Sequence, residues 1–79
     1  MQILNEVIKI LVSVLQLTEQ LNAQSPLLGA IPEFDSMSVV AIITALENRF
    51  GFVVEDDEIE GAIFETVGSL VAFVEQKLL

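Results

Sequence analysis

The stretch Ser36-Met37-Ser38-Val39-Val40-Ala41-Ile42-Ile43-Thr44-Ala45-Leu46-Glu47-Asn48-Arg49-Phe50-Gly51 decides the fold. Successive residues of a helix advance by about 100° around its axis. On that wheel Val39, Ile42, Ile43, Leu46 and Phe50 gather on one side, the face expected to enter a core. Met37, Val40, Ala41, Thr44, Glu47 and Asn48 gather roughly opposite. A purely solvated face normally carries more charge than this one, which has a single acidic residue and an apolar trio. Two readings of it stand: packing under a neighbouring loop, or an exposed surface for a partner. The helix is expected to begin around Asp35 and to end at Phe50-Gly51, with Gly51 just past the C-cap.

Upstream, Ile3, Leu4, Val7, Ile8, Leu11, Val12 and Leu15 recur at helical spacing, and Ile10 and Val14 widen the stripe. No strong stop signal follows through Leu17–Asn22. The run from Ser25 to Pro32 reads as a loop from its prolines and glycine, with Leu27, Leu28 and Ile31 expected to pack down on the core. Downstream of Gly51 comes the acidic run Glu55-Asp56-Asp57-Glu58. Acidic residues suit the first turn of a helix, so a short third helix is expected around Asp57–Ile63. Thr66 can cap a last helix whose buried stripe would be Val67, Leu70, Val71, Val74 and Leu78. The expected fold is all-α: one domain over residues 1–79, four helices of unequal length, a long first loop and a short third helix.

Composition narrows function. The chain has 79 residues, of which 53% are hydrophobic, and a mean hydropathy of +0.70, so a dense small core is affordable. Lys9, Arg49 and Lys77 face 12 acidic residues, for a net charge of −9. Nucleic acids and anionic membrane surfaces need clustered cations that are absent here; a basic partner is the natural complement. The sequence has no His, Cys, Trp or Tyr. The usual zinc sites and His- or Cys-based nucleophilic systems are therefore excluded. A chain this small is not expected to enclose a substrate cleft as well as a core. No run is long enough to span a bilayer and no positive signal-peptide region opens the chain, so a cytoplasmic protein is expected. An EF-hand loop begun at Asp56 would need a bidentate Glu where Val67 stands, and no metal site is assigned.

The segment Phe34-Asp35-Ser36-Met37-Ser38-Val39-Val40 lies where the long loop turns into the second helix. With Asp35 as N-cap, its carboxylate can accept from N–H groups near Ser38, and Ser36 enters the first turn, where an attached anion would meet the positive end of the helix dipole. Read in isolation, Ser36 is an ordinary capping serine. The wider pattern adds Leu46-Glu47-Asn48-Arg49-Phe50-Gly51, the acidic segment Glu55–Glu60, and Phe64-Glu65-Thr66-Val67-Gly68-Ser69-Leu70. In order and spacing, roughly from residue 27 to 79, these resemble the acyl carrier protein family: its Asp-Ser-Leu (or Met, or Ile) motif, its "LE-x-x-F-G" helix ending and its "F-x-T-V-x-x-L" entry to the final helix.

That resemblance implies a small four-helix bundle in which Ser36 carries 4′-phosphopantetheine, derived from coenzyme A, through a phosphodiester. A separate phosphopantetheinyl transferase would install it, with Asp35 in support. Acyl groups would ride on the arm as thioesters between acyl-transferring, ligating or condensing enzymes of fatty acid, lipid or specialised acyl and polyketide metabolism. The carrier itself would do no chemistry. Met37, Val40, Ala41, Thr44 and Glu47 fall on the partner-docking face, and a monomer is expected. The chain departs from housekeeping carriers of the family at Ser38, Ala41 and Asn48, where acidic residues are usual. This points to a specialised carrier with a more apolar partner set. Beginning at Met1 and ending with the last helix, the chain is expected to be free-standing. The alternatives are a peptidyl or aryl carrier for an adenylating ligase, and an acidic helical adaptor that never receives the arm.

Overall fold

The computed structural model describes residues 3–17, 20–27 and 36–79. Three α-helices are present among them: α1 (Ile3–Leu15), α2 (Ser36–Phe50) and α3 (Val67–Leu78). Between α2 and α3 lie two 3₁₀ turns, Asp56–Glu58 and Gly61–Phe64. Helix α1 packs against both α2 and α3. It runs antiparallel to each: Glu6 near its start bonds Arg49 at the end of α2, and Ile3 shares a surface hollow with Leu78 and Leu79. A single core joins Val7, Leu11 and Leu15 of α1, Ile42, Ile43 and Leu46 of α2, Val67, Leu70 and Val74 of α3, and, outside the α-helices, Leu27 and Phe64. No described helix is long and apolar enough to cross a membrane.

The acidic run departs from expectation. In place of a short α-helix over 57–63, two 3₁₀ turns are separated by extended residues, Ile59 at φ −83°, ψ 111° and Glu60 at φ −131°, ψ 152°. Ile59 is β-branched and Gly61 is a poor helix former, and neighbouring carboxylates repel. A nucleus that short lacks the propagation that offsets its entropy.

The stop after α1 also has a local cause. Gln16 takes φ +55°, and the Leu17 N–H donates to Val12 O at 3.1 Å, the six-to-one bond that closes a helix through a left-handed residue. Glycine usually fills that position, which is why a glutamine there gave no warning. At α2 the expected device is found: Gly51 has φ +78° and donates to Glu47 O at 2.8 Å.

Helix α3 starts as expected. Thr66 Oγ1 accepts from the Ser69 N–H at 3.1 Å and Ser69 Oγ accepts from the Thr66 N–H at 3.0 Å. The remaining free N–H groups of that turn are met by the segment before the long loop: Val67 donates to Ser25 O at 3.0 Å and Gly68 to Ala23 O at 2.8 Å. This is complete bookkeeping for a buried helix start. Leu27 is fully buried, as expected, whereas Leu28 and Ile31 lie outside the described residues. Leu78 is a correction: at 39% exposure in the last turn it leaves the stripe that buries Val67, Leu70 and Val74. Val39, Phe50 and Val71 are half-buried against the core.

A Cβ at Gly68 would lie 2.9 Å from Ala23 O, the atom to which Gly68 itself donates. Gly68→Ala gains helix propensity but pushes apart the 23–27 and 65–68 segments, so a net loss of about 1–2 kcal/mol is expected in urea unfolding; unchanged stability would contradict this close approach. A second expectation concerns acid. Arg49 donates to Glu6 at 2.8 Å, and this hydrogen bond, opposed by partial desolvation and reinforced by the charges of Arg49 and Lys9, holds the Glu6 carboxyl below its usual range. A lowered folded-state pKa contributes stability above the unfolded value, near 4.3, that is lost as pH falls through the folded value. Glu6→Gln should therefore unfold at lower urea than the parent at pH 7, with the gap closing below about pH 4. A gap constant from pH 7 to pH 3 would show that the ion pair is not its source.

Candidate functional site

Helix α2 begins at Ser36, so this serine belongs to the first turn, whose N–H groups have no partner within the helix. Asp35 lies outside the described residues. Burying Ile42, Ile43 and Leu46 turns the opposite face outward: Met37 is 82% and Val40 63% exposed, and Ala41, Thr44 and Asn48 are exposed beside them. Of the two readings of this face, packing under a loop does not describe Met37 and Val40. An exposed apolar strip leading away from Ser36 does.

Glu47 is engaged elsewhere. Its Oε2 accepts from the Val54 N–H at 2.8 Å, which folds the 51–54 segment back along the helix that has just ended. Next to it Arg49 binds Glu6, its guanidinium lies 5.7 Å from the centre of the Phe50 ring, and Phe50 stacks on Phe52 at 6.1 Å with planes 2° apart. The C-terminal end of α2 is thus tied down by polar and aromatic contacts. Sequence reading missed this role of Glu47; Val53 and Val54 in extended register after a Gly C-cap are the only signal for it.

Other serines have local tasks. Ser25 Oγ accepts from the Asn22 N–H at 2.9 Å. Ser69 Oγ, besides capping α3, donates toward Ile63 O at 2.7 Å and Thr66 O at 2.8 Å. Ser13 is exposed in the interior of α1, and Ser38 is half-buried. Among the acidic residues, Glu55, Asp56, Asp57 and Glu60 are exposed, while Glu58 takes Lys77 Nζ on both oxygens, at 2.7 and 3.0 Å. That hydrogen bond, then one from the Glu55 N–H, lowers the Glu58 pKa. Among the described residues no three carboxylates converge to hold a metal ion.

Comparison with known proteins agrees with this arrangement. The family profile described as "Phosphopantetheine attachment site" matches residues 5–74. An acyl carrier protein of Helicobacter acinonychis (strain Sheeba) is 35% identical over 69 residues, covering 80% of this chain and 86% of the relative. A solution NMR structure of a holo acyl carrier protein from Nitrosomonas europaea is 58% identical, superposes with a TM-score of 0.88 and covers 99% of this chain and 98% of its own. A helix that starts at a serine, beside an exposed apolar strip and anchored at its far end, suits a covalently held phosphodiester arm, and phosphopantetheine is the prosthetic group of these proteins. With a matching fold over almost its whole length, the chain belongs to the acyl carrier protein family.

Proposed function

We propose that this protein is an acyl carrier with its phosphopantetheine joined to Ser36, and that it delivers acyl groups to partner enzymes of fatty acid, lipid or specialised acyl metabolism. When bound, the group supplies the thiol on which acyl groups are held as thioesters, a function no side chain of this cysteine-free sequence can take. The observation that carries the reading is the position of Ser36 as the first residue of α2, within a match to the attachment-site family that spans it. A phosphodiester there would be favoured by the helix dipole and by the N–H groups of the first turn. Asp35, the preceding residue, would assist the phosphopantetheinyl transferase.

Met37, Val40, Ala41 and Thr44 form the docking strip in this proposal. Glu47 borders it, but its carboxylate already serves Val54, and Ser38, Ala41 and Asn48 bring no charge. Charge complementarity across an interface mainly sets association rate and partner choice. A strip with so little charge favours partners with an apolar groove, and hence a specialised carrier over a housekeeping one.

The test is intact-mass spectrometry after incubation with coenzyme A, magnesium and a broad-specificity phosphopantetheinyl transferase. The parent is expected to gain one phosphopantetheine and Ser36→Ala none. Failure of the parent to gain mass, under conditions that modify a control carrier, would overturn the proposal in favour of an adaptor that never receives the arm.

A further inference from the structure

Oxidation chemistry in this chain falls on two atoms. The sequence has no Cys, His, Trp or Tyr, so the thioethers of Met1 and Met37 are its only sulfur and its only readily oxidised side chains. Met37 is also the most exposed large apolar side chain in any described helix, at 82%. Two further observations set it apart from an ordinary surface methionine. It follows Ser36 directly in the first turn of α2, so any enzyme that reaches the Ser36 hydroxyl must also accommodate Met37. It belongs to neither the buried core nor the apolar residues packed against that core, because burial of Ile42, Ile43 and Leu46 turns it outward.

Hydrogen peroxide converts such a side chain in one step. A sulfur lone pair attacks one peroxide oxygen, the O–O bond breaks and an S–O bond forms. The sulfur-bound oxygen passes its proton to the departing hydroxide, which leaves as water. Sulfur gives up two electrons and the peroxide takes them. A flexible apolar thioether has then become a polar sulfoxide. Within a core this change disrupts packing, but Met37 has no core packing to lose. The fold stays and its surface chemistry changes. The strip of Met37, Val40, Ala41 and Thr44 now starts with a strong hydrogen-bond acceptor, and an apolar groove closing on it must bury that oxygen without a partner.

We propose that Met37 is a peroxide-sensitive modification site that governs access to Ser36. As a thioether it admits partner enzymes; as a sulfoxide it turns them away, with the bundle unaltered. The consequence rests on the carrier reading, in which those partners act on Ser36 or on the arm it bears. Methionine sulfoxide reductase reverses the change, two thiols closing to a disulfide as the oxygen leaves in water.

The test treats the full-length protein with dilute hydrogen peroxide, removes the peroxide, and then supplies coenzyme A, magnesium and a broad-specificity phosphopantetheinyl transferase. Peptide mapping is expected to find one added oxygen on Met37, with the urea midpoint unchanged and the arm installed about tenfold more slowly than on untreated protein. Sulfoxide reductase with dithiothreitol should return the first rate. Met37→Leu, whatever its own rate, should give the same rate with and without peroxide, which also accounts for oxidation of Met1. Equal rates for oxidised and untreated parent, a slowing shared by Met37→Leu, no oxygen at Met37, or a fall in the urea midpoint would each overturn the proposal. An untreated parent that never gains the arm removes the carrier reading and this proposal together, and is told apart because no peroxide has yet been added.

Discussion

Burial of Ile42, Ile43 and Leu46 fixes the rotation of α2 about its own axis. With a period of 3.6 residues that rotation leaves no choice about Met37, Val40, Ala41 and Thr44, which must face outward. Full burial of a Leu or Ile side chain contributes about 1.5–3 kcal/mol, so turning the helix to hide Met37 and Val40 would cost more than it recovers. The exposed strip is therefore a by-product of the core that is available for recognition, and Ser36 stands at its head.

Polar contacts then give the bundle two unlike ends. The ends of α2 and α3 and the start of α1 lie together, and there the chain places each of its cations: Arg49 and Lys9 on Glu6, Lys77 on Glu58. Glu47 and the Phe50–Phe52 stack add to the same end. Near the start of α3 the fastening is of another kind, backbone bonds from Ala23, Ser25 and Leu27 to residues 65–68. With a net charge of −9, cations are too few to serve as general neutralisers, and using each as a cross-link stabilises the fold where helices converge. Ser36, at the opposite end of α2, is apart from these links.

What could be read from sequence was whatever depends on local chemistry or on long periodicity. The three α-helices, the Gly51 ending, the Thr66 cap and most of the core faces are of this type, as was the family resemblance carried by Ser36 and its surroundings. The features missed depend on partners distant in sequence or on marginal balances. Gln16 takes the left-handed conformation usually given to glycine, so the residue type carried no signal of the stop. The acidic run has the dipole preference of a helix start but not the length or the formers to propagate, and it settled into two 3₁₀ turns. Glu47 sits on the outward side of the wheel, yet a carboxylate can reach around to Val54, and a wheel contains no information about the segment beyond the helix. Leu78 kept the period of its stripe past the point where the core ends.

In the proposed carrier, α2 is anchored at its C-terminal end and bears the arm at its N-terminal end. Amide chemical shifts of the protein before and after attachment of phosphopantetheine test it most directly. The largest changes are predicted at residues 36–41, with Glu47–Val54, Glu6 and Lys77 unmoved. Large changes centred on Glu47–Val54, with the start of α2 silent, would contradict it.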